Sequence, residues 1–168
     1  NVSSFLSAQA NENPDAKALI YSYKPNFWSP SDYMDVSFKE LDAMVDAVMH
    51  RFMSLGVARG TRVLLMVKPG LDLIQIVFAL LKIGAVPVVI DPGMGLGRFF
   101  ECAKQSKVDA IVGGTVAISL AKWFLRAHES VKKAITLDAR FKASLKKHLG
   151  VVSYDAVEVG KDELAAVL

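Results

Sequence analysis

Cysteine is nearly missing from this chain: Cys102 stands alone, which excludes an internal disulfide and any cysteine-based zinc site. In a helical pattern beside Phe99, Phe100 and Ala103, it reads as a small buried filler rather than a nucleophile. Histidine is scarce too. His50, His128 and His148 lie far apart in sequence on predicted helices among polar neighbours, read as surface positions with no metal-ligand spacing. No strong charge of one sign is present: the formal net charge is +3 and the basic residues are scattered, the densest cluster being Lys146-Lys147-His148 at a predicted helix end. That distribution argues against a nucleic-acid partner. Residues 71–90 form the one long apolar run, but Asp72, Gln75 and Lys82 interrupt it and Gly84 with Pro87 divides it, so no membrane span is expected. The first fourteen residues are polar and lack a basic start followed by an apolar run, so a cytoplasmic protein is expected.

What is present is apolar patterning. Just over half of the 168 residues are hydrophobic, enough for a real core in one α/β subdomain. Residues 62–93 read as strand, helix, strand and a tight Asp-Pro-Gly turn. Residues 63–67 are a short run of β-formers between Gly60 and Pro69-Gly70; residues 71–83 are long enough for a helix, with Gly84 placed for a left-handed cap; residues 86–90 are the second buried run. Parallel strands joined by a helical crossover make a βαβ unit.

Before it, residues 2–11 read as a helix with Phe5, Leu6 and Ala10 inward, residues 18–23 and 34–38 as a hairpin, and residues 24–35 as its long loop. Ser37 and Glu40 fit a capping box. The helix behind it carries Phe38, Leu41, Val45, Val48, Phe52 and Leu55 as one stripe, widened by Met44 and Met49 and ended by Gly56, with Asp42, Asp46, His50 and Arg51 facing away. After the central unit come helix 96–106, strand 110–112, a Gly113-Gly114-Thr115 turn capping helix 116–128, strand 134–137, helix 139–149, a fifth strand at 151–154 and a weak tail. The alternation predicts an α/β fold with a parallel, Rossmann-like sheet covered by helices on both faces. It divides into an edge hairpin and helix (1–38), the sheet subdomain (39–154) and a tail (155–168).

Catalytic machinery is hard to find. Gly93-x-Gly95-x-Gly97 follows a strand and opens a helix, yet Arg98 stands where a dinucleotide fingerprint needs its third glycine. There is no P-loop lysine pattern, Ser-His-Asp order or zinc motif.

Residues 36–42 (VSFKELD), 60–63 (GTRV) and 81–92 (LKIGAVPVVIDP) occur in this order. Together they resemble the opening motifs of the adenylate-forming superfamily of acyl-CoA synthetases, luciferases and peptide-synthetase adenylation domains. Met66-Val67-Lys68-Pro69 and the Asp91-Pro92-Gly93 ending are most similar to the fatty acid–CoA ligase and olefin β-lactone synthetase branch. The resemblance implies an AMP-forming acid ligase using ATP and Mg²⁺. It makes an acyl-adenylate and passes the acyl group to CoA or closes a β-lactone. The superfamily's Ser/Thr/Gly-rich phosphate loop ending in Pro-Lys-Gly, its ribose-binding aspartate and its catalytic lysine lie downstream of everything here, so the chain resembles an inactive leading fragment that binds none of these cofactors itself. The same resemblance places Asp91, Pro92 and Gly93 beside a CoA thiol tunnel and Lys122 near the CoA phosphate, with no catalytic or metal-binding residue in this part. It also leaves the hairpin strands with bare edges, which invites self-association. The alternative is a non-enzymatic α/β binding or assembly module.

Overall fold

The computed structural model describes residues 1–23, 32–125 and 131–168, except that nothing is stated of the side chains of Tyr23, Pro92 and residues 122–125. Its centre is a four-stranded parallel sheet in the order β4-β3-β5-β6, where β3 is Arg62–Met66, β4 Val86–Val88, β5 Ala110–Gly113 and β6 Lys133–Thr136. Leu64 aligns with Val88 on one side of β3 and with Ile111 on the other; Val112 aligns with Ile135.

Successive residues of a strand face opposite sides, and the two cores follow that parity. Val63, Leu65, Ala110, Val112 and Ile135 pack under α2 (Phe38–Ser54), α3 (Leu71–Ile83) and α6 (Ala139–Lys146), with Leu6 of α1 (Val2–Glu12) joining them. Leu64, Val88 and Ile111 face the other way, against Phe99, Phe100 and Ala103 of α4 (Leu96–Gln105) and Ile118 and Ala121 of α5 (Thr115–Leu125). The expected parallel sheet with helices on both faces is what the chain forms.

Helix α2 starts as its sequence predicts. Glu40 N–H donates to Ser37 Oγ (3.2 Å), and Ser37 N–H donates to Glu40 Oε2 (2.9 Å). The Ser37 N–H, and after it the Ser37 hydroxyl (3.0 Å to Oε2), donate to the Glu40 carboxyl and hold it below its usual range. A lowered carboxyl adds stability above its unfolded value that is lost as pH falls through the folded one. Ser37→Ala should cost about 1 kcal/mol, read as a lower urea midpoint at unchanged m. At the end of α3, Gly84 takes φ +78°, the left-handed cap that only glycine adopts without strain.

Elsewhere the boundaries move, for physical reasons. Ser3 and Leu6 are the buried pair of α1, which turns Phe5 outward to 73% exposure instead of inward. The hairpin's β1 is Lys17–Tyr23 and its β2 runs from Asp32 to Ser37, so residues 32 and 33 of the expected loop join the strand expected from 34; residues 24–31 of that loop lie outside the described residues. β1 and β2 form a separate antiparallel sheet. β4 stops at Val88, because the Val89 N–H turns to the Val167 carbonyl (2.9 Å) while the Val167 N–H reaches the Pro87 carbonyl (3.0 Å). The tail thus ends as a parallel bridge on the sheet edge. Thr115 is the first residue of α5 rather than its cap, and Ile118 N–H donates to the Gly114 carbonyl. Helix α6 ends at Lys146, short of the expected 149. Residues 151–154 are not a strand, since the Tyr154 N–H is given to a side chain, Asp46 Oδ2 (3.4 Å).

Candidate functional site

Parallel α/β sheets bind ligands in the crevice beyond the carboxyl ends of their strands. Here that edge carries the Pro69-Gly70 entry to α3, the turn after β4 and the Gly113-Gly114 entry to α5. Gly113 is required at its place: a Cβ would sit 2.8 Å from the Met66 carbonyl oxygen on the adjacent strand.

The turn after β4 holds three of the four expected site residues. Asp91 is exposed, and its Oδ1 accepts the Gly93 N–H (2.8 Å), closing the turn on itself before a short 3-10 segment, Pro92–Met94. A Cβ on Gly93 would stand 3.1 Å from that carboxylate. Lys122 lies on α5, two turns in, with its side chain outside the described residues. β3 stands between β4 and β5, so this turn and α5 follow strands that are not neighbours. Val89, Met94 and Leu96 leave an apolar rim around the turn, 37–48% exposed. Among the described residues, no group of three or more His, Cys, Asp or Glu could hold a metal ion.

The densest polar cluster lies elsewhere and was not foreseen. Lys82 of α3 is fully buried, with Nζ 2.6 Å from Asp46 Oδ1 and 3.1 Å from Asp42 Oδ1; Ser7 Oγ donates to Asp42 Oδ1 (2.9 Å). Asp42 and Asp46 therefore face α3, not solvent as the stripe pattern implied. Burial pushes the Asp46 carboxyl up; the Lys82 hydrogen bond and charge oppose it, and neighbouring Asp42 adds to the rise. Beyond Asp46 the chain continues to Tyr154, whose hydroxyl meets His50 Nδ1 at 2.6 Å, and to His148, whose ring centroid is 4.4 Å from that of His50. Both histidines are half-buried and paired, which corrects their reading as surface positions; His128 lies outside the described residues. The available signal was a lysine inside the apolar α3 and two carboxylates four apart on α2, one helical face able to meet it.

The family model for AMP-binding enzymes matches residues 6–168. The chain belongs to that family. Among curated AMP-binding relatives, the olefin β-lactone synthetase of Xanthomonas campestris pv. campestris is 32% identical over 84% of this chain, and that of Stenotrophomonas maltophilia 30% over 83%. The chain spans about a quarter of the length of these relatives (25% and 26%). A long-chain-fatty-acid-CoA ligase from Archaeoglobus fulgidus shares the fold at TM-score 0.78 and 17% identity, covering 98% of this chain and 33% of that one. The Mycobacterium tuberculosis fatty acyl CoA synthetase does so at TM-score 0.76 and 20% identity, covering 97% and 31%. The fold of this chain is thus that of the leading part of those ligases. No described helix is long and apolar enough to cross a membrane.

Proposed function

We propose that this chain is the leading sheet subdomain of an ATP-dependent, AMP-forming carboxylic acid ligase with fatty-acid-like substrates. The observation that carries the reading is the family match across residues 6–168. In the intact protein a carboxylate oxygen attacks the α-phosphate of ATP, forming an acyl-adenylate and expelling pyrophosphate. The acyl group then passes to the thiol of CoA, or a β-hydroxyl of the same acid displaces AMP and closes a β-lactone. The names of the synthetase and ligase relatives support either acceptor.

ATP and Mg²⁺ do not fit the residues described here. Phosphoryl charge needs preorganised donors and cations, whereas the carboxyl-edge turn offers the exposed Asp91 carboxylate, already closed on the Gly93 N–H. This part of the enzyme supplies scaffold. Asp91, Pro92 and Gly93 border the passage for the acceptor thiol, and Lys122 on α5 lies on the side of the CoA phosphate.

Assayed alone, the 168-residue chain should give a blank in ATP–pyrophosphate exchange. The product of the uninterrupted reading frame should give exchange that depends on added fatty or β-hydroxy acid. Robust exchange by the chain alone would overturn the scaffold role. A whole product that exchanges with none of these acids would overturn the ligase reading.

A further inference from the structure

The histidine cluster has no part in the chemistry above. It closes a strap. Residues 151–157 cross the helical layer of α1, α2 and α3, held by three further contacts. The Tyr154 N–H donates to Asp46 Oδ2 (3.4 Å), the Val157 N–H donates to the Lys82 carbonyl (3.0 Å), and Asn1 Nδ2 donates to the Val157 carbonyl (2.9 Å). Tyr154 packs against the main core, and its hydroxyl lies 2.6 Å from His50 Nδ1.

His148 joins the start of the strap to α6. Its Nδ1 is 2.9 Å from the Ser144 carbonyl oxygen. A carbonyl only accepts, so this Nδ1 carries a proton and the neutral ring keeps its lone pair at Nε2. Acidification therefore adds a charge at Nε2 of His148 while its ring lies against that of His50, centroids 4.4 Å apart and planes 34° from parallel.

We propose that the His50–His148 pair is a pH-sensitive latch on this strap. It stays closed while at most one of the two rings is charged and opens when both are. The groups on the packed elements favour opening. On α2, Arg51 follows His50 directly, and Asp46, one turn before it, already faces the Lys82 ammonium of α3 at 2.6 Å. On the α6 side, Lys146 and Lys147 precede His148, while Lys142 is paired with Asp72 of α3. On the strap, Tyr154 is the phenol at His50, and Asp155 is exposed. Two imidazolium charges at this separation thus meet more positive than free negative charge. An opened strap lets each ring take its proton independently, so the open form binds more protons and acid favours it.

The test is amide hydrogen exchange on the 168-residue chain, expressed as protection factors so that intrinsic rates cancel, at about pH 7.5 and about pH 5. Protection of residues 147–157 should fall about tenfold on acidification, the equivalent of one unit of proton linkage, while β3 and α3 amides hold theirs. His148→Gln, which cannot form a doubly charged pair, should keep strap protection flat across that range. Tyr154→Phe should lower protection at both pH values and leave their ratio as in the wild type. Strap protection that is independent of pH in the wild type, or an equal loss in His148→Gln, would overturn the latch; intact β3 protection in each variant shows that it has folded.

Discussion

Lys82→Met should destabilise the chain by about 3–5 kcal/mol, seen as a large drop in the urea midpoint. Methionine keeps the unbranched apolar stem of lysine but lacks its terminal ammonium nitrogen. The loss comes less from the missing attraction than from what stays behind: Asp46, 2% exposed, with its Oδ1 facing an empty position 2.6 Å away, and Asp42 beside it. Burial already raises the Asp46 carboxyl, opposed mainly by Lys82. Without Lys82 that opposition ends and the rise grows. A carboxyl raised in the folded state binds more protons there than in the unfolded chain, so folding is favoured as pH falls through the raised value. The gap between wild type and Lys82→Met should therefore narrow on acidification. Asp46→Asn should cost less than Lys82→Met at neutral pH, because Asp42 at 3.1 Å still faces the ammonium. A combined Lys82→Met, Asp46→Leu variant should recover most of the loss, since apolar replacement of a buried pair is close to neutral. A Lys82→Met midpoint equal to wild type at every pH would show that the three charges are not coupled.

Helix α2 shows how far the sequence carries and where it stops. Its start was legible because a capping box is closed within four residues, and its core stripe because a 3.6-residue period fixes which side chains share a face. The same logic assigned Asp42, Asp46 and His50 to water, and there it failed. α2 is enclosed on a second side by α3 and by residues 151–157, contacts separated from it by 36 to 108 positions in the chain. No local pattern encodes such a lid. The βαβ unit was legible for the opposite reason: length, flanking glycines and apolar runs are local, and they placed residues 91–93 at the carboxyl edge as found. Where Lys122 stands relative to that turn is set by strand order, which no local pattern carries: β3 lies between the strands that the two follow.

The second large effect concerns two phenylalanines that the sequence pattern placed alike. Phe52→Ala should cost about 3–5 kcal/mol and lower the melting temperature by roughly 10 °C. Phe52 is fully buried at the far end of the α2 stripe, its ring centroid 6.0 Å from that of Phe141 on α6. Truncation leaves a void between two helices that share one core with the sheet residues Val63, Leu65, Ala110 and Val112, where the surroundings relax only in part. Phe5→Ala should change stability by no more than about 0.5 kcal/mol, because that ring is 73% exposed in this chain. A Phe5→Ala cost approaching that of Phe52→Ala would mean that α1 lies the other way round on α2 and α3. The comparison therefore tests the seating of α1 as well as the core. It does so within one residue type, where transfer free energy and ring size cancel and only burial differs.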